Sequence, residues 1–187
     1  MTSLAPRVVI VTRQSEFERL MTYHATRGQA EFYLAQRGQN FSQLERQHDQ
    51  LQAAIADAKQ AVHDDWSIAH ILRDDLDRFL FSDRDIIVAI GQDGLVANVA
   101  KYLAGQPVIG IAASGDGSEG ILTAMSPDVL PKLLPRVAAS DVAIQRRTMV
   151  EAILDDGQML LALNELFIGH RSHQSARYLV RFDGKEE

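Results

Sequence analysis

Four runs of apolar, largely β-branched residues punctuate the chain. Val8-Val9-Ile10-Val11 is continuous rather than alternating, the pattern of a strand covered on both faces, and it predicts a first parallel strand. Trp66 to Leu72, Asp85 to Ile90 and Val108 to Ile111 read as further strands. Between the first two lie helical stretches from about Ser15 to Ala35, weakened at Gly28, and from about Ser42 to Val62. In the second, Leu44, Leu51, Ala54, Ile55, Ala58 and Val62 line one helical face, and Ser42 with Glu45 forms a capping-box pattern. Leu76 to Phe81 reads as a short helical turn, and Ser126-Pro127 caps a helix running to about Val137. Strands alternating with helices imply parallel pairing through crossovers. Residues 1–139 are therefore expected to form a Rossmann-like α/β layer, a parallel sheet with flanking helices.

After Ser140 the pattern changes. Val142 to Leu154, Met159 to Ile168 and Ser175 to Phe182 are strand-like with no helix between them, and Asp156-Gly157 is a hairpin signal. Residues 140–187 read as the start of an antiparallel β domain. A second hairpin signal, Asp183-Gly184, is followed only by Lys185, Glu186 and Glu187, which suggests a turn without its return strand. The expectation is a truncated product, or a protein that borrows a strand from a partner, a homo-oligomer.

Composition narrows the function classes. With 46% apolar residues the chain buries a substantial core. A formal charge of −6 argues against nucleic acid or an anionic membrane as main partner, because both require a basic face. No cysteine is present, which removes disulfide and thiolate chemistry. No apolar run approaches a membrane span and residues 1–15 lack signal-peptide features, so the cytoplasm is the expected compartment.

The best-placed acidic group is Asp93, in Gly91-Gln92-Asp93-Gly94, directly behind the Ile86–Ile90 run and ahead of the helix-like stretch Leu95 to Leu103. Ligands in open α/β sheets bind in the crevice outside the carboxyl ends of the strands. Flanking glycines let backbone N–H groups approach a phosphate, and a helix N-terminus adds positive potential. Asp93 as a plain turn residue or helix N-cap is the alternative. Other signals are weaker. Gly115 to Gly120 matches a dinucleotide-binding Gly-rich pattern but does not open a helix at once, and reads as a loop near the site. His170 and His173 lack further metal ligands nearby, Asp64-Asp65 and Asp74-Asp75 suit solvated helix ends, and Arg146-Arg147 would alternate to opposite faces of a strand. There is no P-loop.

Ile86 to Leu103, then Pro107-Val108-Ile109-Gly110, then Leu163-Asn164-Glu165 on a β strand, resembles the NAD kinase family in order and spacing. In that family a Gly-Gly-Asp-Gly loop follows a strand and an Asn-Glu pair opens the β domain. The helical insert between Val11 and Trp66 and the Ser118-Glu119-Gly120 loop resemble its divergent, mitochondrial-type branch. The resemblance implies Asp93 as catalytic base toward the adenosine ribose 2′-hydroxyl of NAD, with ATP or polyphosphate as phosphoryl donor and a divalent metal, Mg2+, held mainly by the phosphates. Gly91, Gln92, Gly94, Asn164 and Glu165 would contact the dinucleotide. Gln92 stands where the family usually has glycine, and Leu95 where it usually has threonine. Were positive φ needed at residue 92, glutamine would cost on the order of 1 kcal/mol or more. A non-catalytic dinucleotide-binding protein, or a lipid or sugar kinase of the same fold, are the alternatives.

Overall fold

The computed structural model describes residues 5–113, 120–167, 169, 179, 181–182 and 185–186. Four parallel strands form the central sheet: β1 (Arg7–Thr12), β2 (Ser67–Leu72), β3 (Asp85–Gly91) and β4 (Val108–Ala112), in the order β2-β1-β3-β4. The fold is an α/β Rossmann-like layer. Successive side chains on β1 and β3 point to opposite faces, and both sets are buried, which is why these strands carry no polar alternation. Val8, Ile10, Val88 and Ile90 pack beneath α3 (Phe41–Gln60) and α5 (Leu130–Ala138), through Ile55, Ala58, Leu130 and Leu134. Val9, Val11, Ile87 and Ala89 pack on the other face against α4 (Asp93–Ala100), through Leu95, Val96 and Val99.

The helical insert between β1 and β2 departs from the sequence reading. Instead of one helix weakened at Gly28, it has α1 (Glu16–Tyr23) and α2 (Arg27–Ala35), parted at His24, with Gly28 inside α2. A new cap explains the break: Thr26 accepts a hydrogen bond from the Gln29 N–H, starting a second helix three residues after the first ends. The capping box also lies elsewhere. Ser15 and Glu18 bond reciprocally at the start of α1, at 3.1 and 2.8 Å. At α3 the cap is Asn40, whose side-chain oxygen accepts from the Ser42 N–H, and Glu45 is instead engaged by the Arg27 guanidinium at 2.7 and 2.9 Å. Leu20, Ala30, Leu34 and Phe41 form a small core of the insert's own.

The expected turn at Leu76–Phe81 starts earlier, as a 3-10 turn at Arg73–Asp75 that continues through residues 76–78, with Leu76 a buried anchor and Phe79 against Phe81. Ser126 makes no cap bond to the backbone; its hydroxyl meets the Asp128 carboxylate. The amino-terminal edge of the sheet is pinned by an ion pair whose carboxylate is buried and whose guanidinium is partly exposed. Arg7 donates to both oxygens of Asp85 at 2.9 and 2.6 Å, and the Ser82 N–H adds 2.7 Å.

Beyond α5 the expected strands Val142 to Leu154 and Met159 to Ile168 are shorter: Val150–Ile153 (β5) and Met159–Ala162 (β6) pair, antiparallel, across the Asp156-Gly157 turn. Residues 142–149 are irregular, so Arg146 and Arg147 lie on no strand. Asn164 and Glu165 fall in an exposed bend past β6 rather than on a strand. Arg181–Phe182 (β7) pairs with Lys185–Glu186 (β8), so the last residues supply a return strand that the sequence reading did not expect. Gly115–Glu119, His170, His173, residues 175–178 of the expected last strand, Asp183 and Gly184 lie outside the described residues. No helix among the described residues is long and apolar enough to cross a membrane.

Candidate functional site at the sheet's topological switch

The chain leaves β1 toward β2 on one side and later returns to β3 on the other, so β1 and β3 flank the point where the strand order reverses. A switch point of this kind opens a crevice at the carboxyl ends of the strands. A cleft of about 520 Å³ lies there, within the range of small-molecule sites. Its floor is the end of β3 and the turn into α4, with Gly91, Gln92 and Gly94 on its surface, and its opposite wall comes from the start of α1 and from α3.

The turn is built for close approach without strain at Gln92. Gly91 takes the positive φ of 155°, whereas Gln92 is extended at φ −112° and ψ 163°. The expected penalty for glutamine is therefore absent. Gln92 is the N-cap residue of α4, though its side chain makes no cap bond, and Asp93 is the first helical residue. That disposes of Asp93 as N-cap. Leu95, in place of threonine, is buried in the apolar layer beneath α4.

Asp93 is half-buried between Gln92 and Gly94 of the cleft floor but does not itself line the cleft: its carboxylate turns toward the segment following β4. Its Oδ2 accepts from the Ile121 N–H at 2.8 Å; Oδ1 accepts from the Leu122 and Thr123 N–H groups at 3.0 Å each and from the Thr123 hydroxyl at 2.9 Å. Partial burial alone would raise the carboxyl pKa, but the Thr123 hydroxyl and the three backbone N–H groups together outweigh it and hold the group below its ordinary value. Two glycines make this clasp possible. A Cβ on Gly120 would land on the Asp93 carboxylate, and one on Gly110 of β4 would land on the Leu122 carbonyl. Nothing in the sequence around Thr123, which is 1% exposed, announces a partner 30 residues away.

Gly91, Gln92 and Gly94 line the cleft as the motif suggested; Asn164 and Glu165 do not, and no hydrogen bond joins either to Asp93 among the described residues. Sequence reasoning passed over several residues that do line it. Arg13 and Arg73 directly follow β1 and β2, and each could have been found as a cation at a strand's carboxyl end. Ser15 and His48 face the same space, with Ser15 Oγ 2.9 Å from His48 Nδ1. Ser15 Oγ, which also accepts from the Glu18 N–H, thereby ties the turn after β1 to α3. The His48 ring stacks on Phe17 at 5.0 Å.

Residues 7–142 match the family model of the ATP-NAD kinase N-terminal domain. NAD kinases of Chlorobaculum tepidum and Brucella melitensis are 33% and 34% identical over 98 and 107 residues, covering 52% and 55% of this chain and 33% and 40% of the relatives. The NAD kinase of Rickettsia typhi is 32% identical over 108 residues, 56% of this chain and 40% of its own. The chain thus spans about two fifths or less of the length of these relatives. The matched region takes in the whole parallel sheet, the glycine-flanked turn behind β3 and the segment that clasps Asp93, and on that match the chain belongs to the NAD kinase family.

Proposed function

We propose that the protein phosphorylates the adenosine ribose 2′-hydroxyl of NAD, taking the phosphoryl group from ATP or polyphosphate. The observation that carries this reading is the family match over a switch-point cleft whose floor is the Gly91–Gly94 turn. In phosphoryl transfer, positioning and charge neutralisation supply most of the rate. Gly91 and Gly94 leave the turn's backbone open to a phosphate or a ribose, and the Gln92 side chain borders the same space.

Asp93 is the proposed catalytic residue. Its Oδ1 carries three hydrogen bonds and holds the carboxylate in place; Oδ2 carries one and retains a lone pair for the 2′-hydroxyl. A depressed pKa suits a group that orients the hydroxyl and receives its proton late, as the new P–O bond forms. Asn164 and Glu165 are proposed to contact the dinucleotide from the bend past β6, a strand that packs near α4. Glu16 is the one carboxylate among the described residues of the cleft wall. Mg2+ binds through one or two carboxylates together with substrate phosphates, a donor set that Glu16 and a bound phosphoryl donor would complete. The metal would neutralise charge on the transferred group.

A second reading, a dinucleotide-binding protein without catalysis, draws on the four donors already occupying Asp93. The exposed apolar residues Val150, Ile153, Met159 and Leu160 of the β5–β6 hairpin support the further proposal of an oligomer. The deciding experiment measures NADP formation by the protein encoded in full by its gene, with NAD and each phosphoryl donor, beside NAD binding by calorimetry. Binding with no NADP from either donor would refute the kinase reading and leave the second.

A further inference from the structure

Arg13 and Arg73 occupy matching positions on neighbouring strands. Thr12 and Leu72 are register partners at the ends of β1 and β2, and each arginine is the next residue. On the other side of β1, Val11 pairs with Ala89, so continuing that register sets Arg13 level with Gly91. Parallel pairing therefore lays Arg73, Arg13 and Gly91 in one row along the carboxyl edge of the sheet, and all three line the cleft.

Neither guanidinium group meets a carboxylate among the described residues. Arg7, Arg27, Arg78 and Arg136 each meet a carboxylate within 4 Å. Arg13 and Arg73 have no ion pair or side-chain hydrogen bond among the described residues, although Glu16, Asp74 and Asp75 are close in sequence. Glu16 shares the cleft and pairs with neither. Two cations against one carboxylate make this cleft cationic in a chain of 25 acidic and 19 basic residues. A guanidinium presents planar, paired donors that match phosphate oxygens, and two of them on adjacent strands span successive phosphates of a chain rather than one isolated anion.

We infer that Arg13 and Arg73 form a polyphosphate subsite that holds the phosphate chain of the phosphoryl donor at the β2 side of the cleft. The dinucleotide is left the Gly91–Gly94 side. The assignment to the donor rests on the kinase reading; binding of a phosphate chain there does not.

The test is titration calorimetry of the chain with tripolyphosphate and, separately, with NAD, for the unaltered protein, Arg13→Gln and Arg73→Gln. Both side chains are exposed and make no ion pair among the described residues, so the variants should melt with the unaltered protein. The expected result is a rise in the tripolyphosphate Kd of about tenfold or more for each substitution, with NAD affinity changed by less than about twofold. Failure of the unaltered protein to bind tripolyphosphate at millimolar concentration would overturn the subsite, as would an unchanged Kd in both variants. Equal losses for NAD and tripolyphosphate would assign the arginines to the dinucleotide's pyrophosphate and overturn the donor assignment. NADP formation with an unaltered KM for the donor in both variants would refute the subsite while leaving the kinase reading intact. Tripolyphosphate binding that depends on both arginines, in a protein that forms no NADP, would do the reverse.

Discussion

Replacing Asp93 by asparagine separates the mechanical from the chemical work of this residue. The amide keeps one oxygen for the Leu122 and Thr123 N–H groups and the Thr123 hydroxyl, but places an NH2 group against the Ile121 N–H. Hydrogen bonds to a charged acceptor contribute about 1.5–3 kcal/mol and neutral ones about 0.5–1.5, so losing the charge costs on the order of 1 kcal/mol over the coupled set. The orphaned Ile121 N–H adds little, because Ile121 is 78% exposed and water can reach it. The expected total is about 1–2 kcal/mol, a fall in Tm of roughly 3–6 °C for a chain of this size. Amide hydrogen exchange should speed up first at residues 121–123. The pH dependence follows from the depressed folded-state pKa: the carboxylate's contribution is present above its unfolded value near 3.8 and is lost as pH falls through the lower folded value. The two proteins should therefore converge in stability on strong acidification. An asparagine variant matching the unaltered Tm at pH 7, with exchange at 121–123 undisturbed, would refute the clasp. Turnover reports separately, since loss of a general base costs about 10²–10⁴ in rate.

Asp85→Ala leaves the Arg7 guanidinium and the Ser82 N–H without their acceptor; because Arg7 is a third exposed, we expect about 2–3 kcal/mol of destabilisation by urea melts, below the cost of a fully buried pair. A loss under 1 kcal/mol would show that water replaces the carboxylate. Gly110→Ala drives a methyl group into the Leu122 carbonyl, so backbone must move and the Asp93 clasp should loosen, read as lower Tm with faster exchange at 121–123. A neutral alanine would mean that the segment after β4 sits further from the strand. His70, on the exposed edge strand β2 with its Nε2 2.9 Å from Thr12 Oγ1, has its pKa lowered first by partial desolvation of the ring and then by Lys59. Its contribution is thus present above the unfolded value near 6.5 and erodes as pH falls toward the folded value. Between pH 7.5 and 5 the His70→Gln variant should lose less Tm than the unaltered protein; parallel curves would contradict the assignment.

Continuous apolar runs were enough to locate β1, β3 and β4, because burial on both faces forbids polar alternation and that constraint is written residue by residue; β2, an exposed edge strand carrying Ser67 and His70, showed only as the apolar-rich segment Trp66 to Leu72. The same local logic exposed the amphipathic face of α3 and the glycine-flanked turn behind β3. The order and spacing of the Gly91–Gly94 loop and the Pro107–Gly110 segment also carried the resemblance to NAD kinases that the family match over residues 7–142 bears out. Helix ends were less legible, since Thr26 and Asn40 compete as caps with Ser42, and the winner depends on how the three insert helices close over Leu20 and Leu34. Side-chain partnerships were not legible at all. The Asp93 clasp requires the segment after β4 to fold back over Gly110, and the Arg13–Arg73 row requires a parallel register joining residues 60 apart. Periodicity fixes which residues are buried because burial is a property of one element, whereas the meeting of distant polar groups is a property of register between elements, and only the folded sheet decides it.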